Sequence, residues 1–306
     1  MIRLHHRDSI PEHLRGAVIA LGNFDGFHIG HRRVAGEAIA WANGEGRPAI
    51  VATFDPHPVR HFRPGAPPFR LTTLDQRQEL FADAGADAML VFDFGDELAQ
   101  TSAEGFVDLL AKRLGAAGVV TGEDFSFGKG RSGNVEVLRE LGAERGMETR
   151  QIGPVSEGDE VVSSSRIREA LKAGDCATAT RLLTRPFAIR GEVIHGEKRG
   201  RELGYPTANL ALGHYLRPRF GIYAVTGRLP DGRILKGAAN IGMRPQFGAE
   251  EELLEPYFFD FSGDLYGQEI EVALHHFLRP EATFDSLDAL TDQMERDCDR
   301  ARELLG

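Results

Sequence analysis

Four short apolar runs in the first 122 residues constrain the fold more than any other feature of this sequence. They cover residues 17–21, 48–54, 88–92 and 117–122, and segments with helical spacing separate them. Alternation of buried strands with amphipathic helices is typical of a parallel sheet that helices cover on both faces. We therefore predict a doubly wound α/β fold for this part of the chain.

Beyond Pro186 the pattern changes to short β-type runs that turn signals separate. The runs cover residues 187–196, 221–229, 233–242, 255–261 and 269–278. This spacing predicts antiparallel strands in a small barrel or sandwich. We accordingly predict one domain at residues 1–185 and a second domain at residues 186–306.

The C-terminal segment, residues 285–305, has the spacing of an amphipathic helix that packs on these strands. Asp285 or Ser286 is placed to cap its N-terminus. The face predicted to be buried carries Leu287, Leu290, Met294, Ala301 and Leu305.

Composition excludes several classes of partner. The formal net charge is −10, with an acidic excess in both halves, which argues against nucleic acid as a partner. No stretch has the roughly 18–20 apolar residues of a membrane span. Cys176 and Cys298 are far apart and form no metal or disulfide motif, so we expect a reduced, cytoplasmic protein. The sequence leaves the oligomeric state open.

The most informative motif covers residues 22–31, where the first apolar run leads through a glycine-rich turn into a helix. His28 and His31 are three residues apart on the first helical turn, so their side chains point the same way. A helix N-terminus binds phosphate, and imidazoles can donate hydrogen bonds to charge that develops during transfer at a phosphorus atom. We predict that both histidines are catalytic, and that the nucleotide contacts Gly22, Asn23, Phe24, Asp25 and Gly30.

This segment resembles the H-x-G-H signature of the nucleotidyltransferase superfamily. Residues 53–58, 122–128 and 162–168 are similar, in the same order, to further motifs of bacterial FAD synthetase, the bifunctional riboflavin kinase/FMN adenylyltransferase. The resemblance implies a nucleotidyltransferase-type N-terminal sheet. By the same resemblance, Ser164 and Ser165 hold ATP phosphates, Arg168 stabilises the leaving pyrophosphate, and Phe62 and Asp124 bind the flavin.

A second constellation covers residues 191–210. Thr207 and Asn209 are two apart, so on an extended strand both side chains face one side and offer hard oxygen ligands to Mg²⁺. The glycine-rich loop before them is suited to wrap ATP with its backbone. The stretch resembles the riboflavin kinase signature, which implies nucleotide contacts at Gly196, Arg199, Gly200 and Gly204.

The similarity to riboflavin kinase continues through residues 237–267. It implies that Glu255 is the general base that accepts the proton of the ribityl hydroxyl group. Gln246 and Pro256 depart from the family pattern. The resemblance as a whole implies an enzyme that phosphorylates riboflavin to FMN with Mg-ATP, then adenylylates FMN to FAD with a second ATP and releases pyrophosphate.

Two other interpretations compete with this one. Residues 128–133 satisfy G-x-G-x-x-G, the fingerprint of a dinucleotide-binding dehydrogenase, but they follow the fourth apolar run instead of the first. A flavin- or nucleotide-sensing protein without turnover is the second alternative. The presence of both histidines, Arg168 and Glu255 argues against the sensor.

Overall fold

The computed structural model describes residues 1–195, 205–246 and 249–306. The chain divides into two compact units. The first contains residues 1–67 and 73–163, and the second contains residues 68–72 and 164–306.

The first unit is built on a six-stranded parallel sheet with the strand order β1-β4-β3-β2-β5-β6. Its strands are β1 (Ile2–His5), β2 (Val18–Leu21), β3 (Ala49–Asp55), β4 (Ala88–Asp93), β5 (Gly118–Gly122) and β6 (Glu148–Ile152). A short hairpin, β7 (Ser156–Glu157) and β8 (Glu160–Val161), follows them. The four apolar runs form β2 to β5, as predicted, whereas the periodicity did not predict the outer strands β1 and β6.

Alternate side chains of the central strands pack into two separate apolar clusters, one on each face of the sheet. Ile19 and Leu21 of β2 belong to one cluster, and Val18 and Ala20 belong to the other. Because both faces are covered, the strands are apolar along their whole length instead of alternating. The helices of this unit are α1 (Ile29–Glu45), α2 (Pro58–Phe62), α3 (Leu74–Asp83), α4 (Asp96–Gln100), α5 (Ala103–Asp108) and α6 (Val135–Ala143).

The second unit begins with two helices, α7 (Ser164–Ala173) and α8 (Cys176–Leu183), and continues into an antiparallel sheet with the order β10-β13-β12-β11-β14-β9. The strands are β9 (Phe187–Glu192), β10 (Leu210–Ala211), β11 (Gly221–Arg228), β12 (Ile234–Gln246), β13 (Ala249–Phe258) and β14 (Glu269–Arg279). The Ile194 N–H donates to the Asn209 carbonyl at 2.9 Å, which joins the chain after β9 to the chain before β10. This bond brings the two edges of the sheet together in a near-barrel, the predicted fold class.

The C-terminal helix, α9 (Leu287–Leu305), packs on β11, β12 and β14, and the Ser286 hydroxyl caps it by accepting from the Ala289 N–H at 3.1 Å. The predicted face is wrong at its start, since Leu287 is 67% exposed. Asp297, Cys298 and Ala301 are the buried residues of the helix. Asp297 on this face forms an ion pair with Arg279 of β14, a contact that apolar periodicity does not predict.

The compact units and the predicted domains divide the chain at different places. Compactness assigns α7 and α8 to the second unit, where α8 packs on β9 and β14. The predicted boundary at residues 185/186 falls immediately after α8, and it stays a prediction about where the two functions separate.

Candidate active sites

The candidate nucleotide site of the first unit lies where the strand order reverses. β2 pairs with β3 on one side and with β5 on the other. The chain adds β3 and β4 on the first side of β2 and then β5 and β6 on the second, so the direction of the strand order changes at β2. In open parallel sheets ligands bind at such a point, beyond the carboxyl ends of the strands. The turn of residues 22–28 follows β2, Asp55 ends β3, and Asp124 follows β5. Three of the predicted motifs therefore share one edge of the sheet.

The turn after β2 is held in an unusual backbone conformation. Phe24 and Phe27 have φ angles of 49° and 42°, a left-handed region that bulky residues rarely adopt, and Gly26 has a φ of 86°. Both phenylalanine rings are buried and pack edge-on against Phe81 of α3. Burial of the two rings therefore maintains the backbone strain and fixes the path of the turn.

The two predicted catalytic histidines lie together at the start of α1. His28 is the N-cap, and its Nδ1 accepts from the His31 N–H at 3.3 Å. The rings stack with centroids 3.6 Å apart. Accepting this bond requires Nδ1 to be unprotonated, so neutral His28 carries its proton on Nε2. A Cβ on Gly30 would lie 3.2 Å from the His28 ring, so a glycine at this position leaves room for the stacked pair.

A buried cluster that the sequence analysis did not predict secures the same turn. The Arg77 guanidinium of α3 donates to the Thr53 hydroxyl at 2.7 Å and to the Asn23 carbonyl at 3.3 Å, and it lies 3.4 Å from the Asp55 carboxylate. The Thr53 hydroxyl also donates to the Asn23 carbonyl at 2.6 Å. Arg77 is only 2% exposed. These contacts tie the nucleotide turn to the end of β3.

The two predicted flavin ligands lie in segments that follow the carboxyl ends of β3 and β5. Phe62, in α2, is 66% exposed, and its ring packs edge-on against His61 and Phe94. Asp124 is exposed in the loop after β5. An exposed aromatic ring is available to stack on a flat ligand.

The remaining residues predicted for the nucleotidyl-transfer site belong to the second unit. Ser164 and Ser165 form the first turn of α7, where backbone N–H groups and the positive end of the helix dipole favour anions. Arg168 follows one turn later. Its Nε donates to the Phe69 carbonyl at 2.8 Å, and its guanidinium lies 5.2 Å above the Phe69 ring.

The second candidate site is on the sheet of the second unit. Leu210 pairs with Leu254, and the Ala208 N–H donates to the Pro256 carbonyl at 3.0 Å. Continuing this register places Asn209 opposite Glu255, with Thr207 two residues away on the same side of the strand. Three of the predicted kinase residues therefore lie together on neighbouring strands.

On its other side, Glu255 pairs with Asn240 of β12, whose Nδ2 donates to Glu255 Oε2 at 3.3 Å. Asn240 was not predicted as a site residue. Pro256, one of the two departures from the family pattern, is buried inside β13, where its carbonyl accepts a hydrogen bond from the Ala208 N–H. The proline is thus accommodated beside the short strand β10.

Four predicted nucleotide contacts, Gly196, Arg199, Gly200 and Gly204, lie outside the described residues. The chain immediately before them is held in place. The Gly267 N–H donates to the Val193 carbonyl at 2.9 Å, and the rings of His195 and Tyr266 lie 4.0 Å apart.

Two family models together cover most of the chain. The model for FAD synthetase matches residues 10–166, and the model for riboflavin kinase matches residues 183–305. A bifunctional riboflavin kinase/FMN adenylyltransferase from Escherichia coli K12 is 38% identical, and the match covers 99% of this chain and 96% of the relative. The chain belongs to the bifunctional riboflavin kinase/FMN adenylyltransferase family.

Other members of this family match equally well along the chain. The proteins from Pseudomonas fluorescens and Bacillus subtilis are 39% and 35% identical, and each match covers 96% of this chain and 94% of the relative. A solved structure described as a macrolide-efflux protein from Streptococcus pneumoniae has a TM-score of 0.88 at 30% identity and covers 99% of both chains. That description is of the Streptococcus protein, and what this chain shares with it is the fold.

Family membership confirms the predicted fold class and the two activities, one for each half of the chain. The dehydrogenase interpretation of residues 128–133 is wrong, because these residues follow β5 and not the first central strand. Among the described helices, none combines the length and the apolar character that crossing a membrane requires.

The residues predicted to hold Mg²⁺ suit a cation that takes its remaining ligands from water and a bound nucleotide. No group of three or more histidine, cysteine or carboxylate side chains suited to a metal occurs in the part of the chain that the structure describes. Thr207 and Asn209 offer a hydroxyl and an amide oxygen instead. Mg²⁺ usually takes few ligands from protein and completes its shell with water and phosphate oxygens, so this sparse donor set suits it.

Proposed function

We propose that the family's two reactions are carried out at the two sites described above, by the residues that lie there. Riboflavin kinase activity uses Glu255, Thr207 and Asn209 of the second unit. FMN adenylyltransferase activity uses the histidine pair of α1 together with Arg168. The register that brings Asn209 opposite Glu255 is the observation that carries the kinase assignment.

In the first reaction the terminal hydroxyl of the ribityl chain attacks the γ-phosphorus of ATP. Glu255 accepts the hydroxyl proton as the O–P bond forms, and ADP leaves. Thr207 and Asn209 would hold Mg²⁺, which when bound with the nucleotide neutralises charge on the phosphates. The loop with Gly196, Arg199, Gly200 and Gly204 contacts the nucleotide.

In the second reaction a phosphate oxygen of FMN attacks the α-phosphorus of a second ATP, and pyrophosphate leaves. The capping bond to Nδ1 directs the His28 proton to Nε2, so this atom is the hydrogen-bond donor that faces the phosphates. His31 is stacked beside it and stabilises the same developing charge. No covalent intermediate with the enzyme is required.

Other contacts of this second site orient the two substrates. Gly22, Asn23, Phe24, Asp25 and Gly30 surround ATP at the switch point. Ser164 and Ser165 bind phosphate at the start of α7, and Arg168 neutralises the leaving pyrophosphate. Phe62 stacks on the flavin ring and Asp124 accepts a hydrogen bond from it.

The two-site assignment is tested by assaying both reactions in the same purified protein. His28→Ala should slow FAD formation from FMN by about 10²–10³-fold, because one transition-state hydrogen bond is lost. FMN formation from riboflavin should be unchanged. Glu255→Gln should give the reverse pattern, with FMN formation slowed by roughly 10²–10⁴-fold.

Chromatography of the flavin products distinguishes the outcomes. If Glu255→Gln phosphorylates riboflavin at the wild-type rate, the base lies elsewhere, with Asp260 or Asp264 as the next candidates. If the wild-type protein makes neither FMN nor FAD from riboflavin and Mg-ATP, the result would favour a flavin or nucleotide sensor. We further propose Mg²⁺ as the metal that accompanies ATP. We also propose a cytoplasmic location, since both cysteines are buried and free.

A further inference from the structure

A single side-chain amide joins two carboxylates beside the kinase site. Asn240 Nδ2 lies 3.3 Å from Glu255 Oε2 and 3.3 Å from Glu281 Oε1. A primary amide nitrogen carries two hydrogens, so it can donate one bond to each carboxylate. The two acidic groups therefore hold the Asn240 side chain in one orientation.

The oxygen of the Asn240 amide also bears on this orientation. Asn240 Oδ1 is buried, and it accepts no hydrogen bond from any residue that the structure describes. An unpaired buried acceptor costs free energy. Rotating the amide would instead place this oxygen against two negative carboxylates, which is worse. Glu281 thus adds to the electrostatic reason why the Asn240 amide hydrogens face Glu255.

β12 is shaped to admit the Glu281 side chain. Gly242 lies two residues beyond Asn240, so any side chain there would project on the same face of the strand. A Cβ at Gly242 would overlap the Glu281 carboxylate. A glycine inside a strand often marks such a close approach.

The chain that carries Glu281 is anchored immediately before it. The Arg279 guanidinium forms a two-pronged ion pair with Asp297 of α9, with Nη2 to Oδ2 at 2.7 Å and Nε to Oδ1 at 3.0 Å. Gln293 Nε2 donates to Asp297 Oδ1 at 2.9 Å. The position of Glu281, two residues after Arg279, is therefore set by the packing of α9 on the sheet.

We propose that Glu281 is a positioning residue for riboflavin phosphorylation, and that it acts on the Glu255 carboxylate through the Asn240 amide. The proposal rests on the function assigned above to Glu255. Glu281 fixes the amide, and the amide restrains Oε2 of Glu255, so that the carboxylate keeps one orientation as it accepts the hydroxyl proton. Glu281 itself touches neither substrate.

Steady-state phosphorylation of riboflavin by the full-length protein tests this role. Glu281→Ala should lower kcat about tenfold and leave the KM for riboflavin within about twofold, because a misoriented base slows the chemical step and not binding. Glu281→Gln should retain most of the activity, since its amide oxygen can still accept from Asn240. Asp285→Ala, which removes an exposed carboxylate four residues along, is the matched control and should leave kcat unchanged.

Thermal unfolding of each full-length variant, followed by circular dichroism, reports whether the second unit has folded, since the adenylyltransferase reaction is assigned to the other unit. If Glu281→Ala fails this check, Gly242→Ala replaces it. This variant displaces the Glu281 carboxylate without removing it, and should lower kcat in the same direction.

The same substitution made in the Glu255→Gln variant separates this inference from the proposed function. In Glu255→Gln the base is absent, so adding Glu281→Ala should lower the residual rate by less than about twofold. A wild-type rate for Glu255→Gln alone would refute the proposed base. If Glu255→Gln is slow but Glu281→Ala leaves kcat unchanged, the positioning role alone is overturned. The same conclusion follows if Glu281→Ala lowers the rate equally in the wild-type and the Glu255→Gln proteins, or if it changes only the KM for riboflavin.

Discussion

The proposed adenylyltransferase site and the proposed kinase site are built from different parts of the polypeptide. At the first, strained backbone between β2 and α1 carries the key residues, and buried rings and the Arg77 guanidinium hold it in place. At the second, the functional groups stand on paired strands, and the register aligns Asn209, Glu255 and Asn240. A turn depends on what fills the space around it, whereas a cross-strand set depends on the pairing itself. The two sites should therefore respond to different kinds of change.

The largest expected effect concerns the limits of the kinase unit. Fragments 164–306 and 186–306 should both phosphorylate riboflavin, because both contain the strands of the site. The shorter fragment lacks α8, whose buried Leu182 and Leu183 should contribute roughly 2 kcal/mol each to the free energy of unfolding. Urea unfolding followed by circular dichroism should show the longer fragment to be more stable by about 4 kcal/mol. Equal stabilities would place the structural boundary at residue 186.

Arg77→Met should destabilise the first unit by about 3 kcal/mol, because it removes a buried cation that donates to the Asn23 carbonyl and pairs with the Asp55 carboxylate. Heating the full-length variant should abolish FAD formation at a lower temperature than in the wild type, and FMN formation should survive as before. Arg77→Lys keeps the charge and should be intermediate. Parallel loss of both activities would show that the cluster supports the whole chain and not the turn alone.

Gly30→Ala should slow FAD formation by about tenfold, since the new Cβ displaces the His28 ring by a few tenths of an ångström. Gly36→Ala is the matched control on the same helix, because nothing lies within 4 Å of a Cβ there. It should leave the rate unchanged. Equal rates for the two variants would mean that the ring position is not critical.

The smallest expected effect is a pH dependence of stability in the second unit. Burial lowers the pKa of His275 from its usual 6.5, and its Nε2 lies 2.9 Å from the Thr226 hydroxyl. A histidine whose pKa is lower in the folded state stabilises the fold above pH 6.5, and this contribution is lost as the pH falls below that value. The thermal midpoint of fragment 164–306 should fall between pH 7.5 and pH 5.5. It should fall less in His275→Gln, and identical shifts would remove His275 as the cause.

Much of the molecule could be predicted from local sequence, because its elements have strong local signals. Continuous apolar runs predicted β2 to β5, and the change to short runs with turns predicted the antiparallel half. The outer strand β6, with the sequence ETRQI, was not predicted because only Thr149 is buried in it, which leaves no apolar run. The motifs at residues 22–31 and 191–210 predicted two nucleotide sites, and the family relationship confirms both activities.

Arg77, Asn240 and Glu281 could not be predicted, because each acts across a long separation in sequence. Arg77 contacts Asp55, Thr53 and Asn23, which precede it in the sequence by 22, 24 and 54 positions. Asn240 contacts Glu255 and Glu281, which follow it by 15 and 41 positions. Local spacing carries no record of such pairs.

Sequence by itself determined the central parallel strands, the change to antiparallel strands and which two chemistries the chain carries, since periodicity and motif spacing are properties of short stretches. Only the tertiary structure decided how each reactive group is held. Strand order places the turn after β2 at the switch point, and strand register places Asn240 between Glu255 and Glu281. The orientation of a side chain is set by its neighbours in space, and those neighbours exist only once the chain has folded.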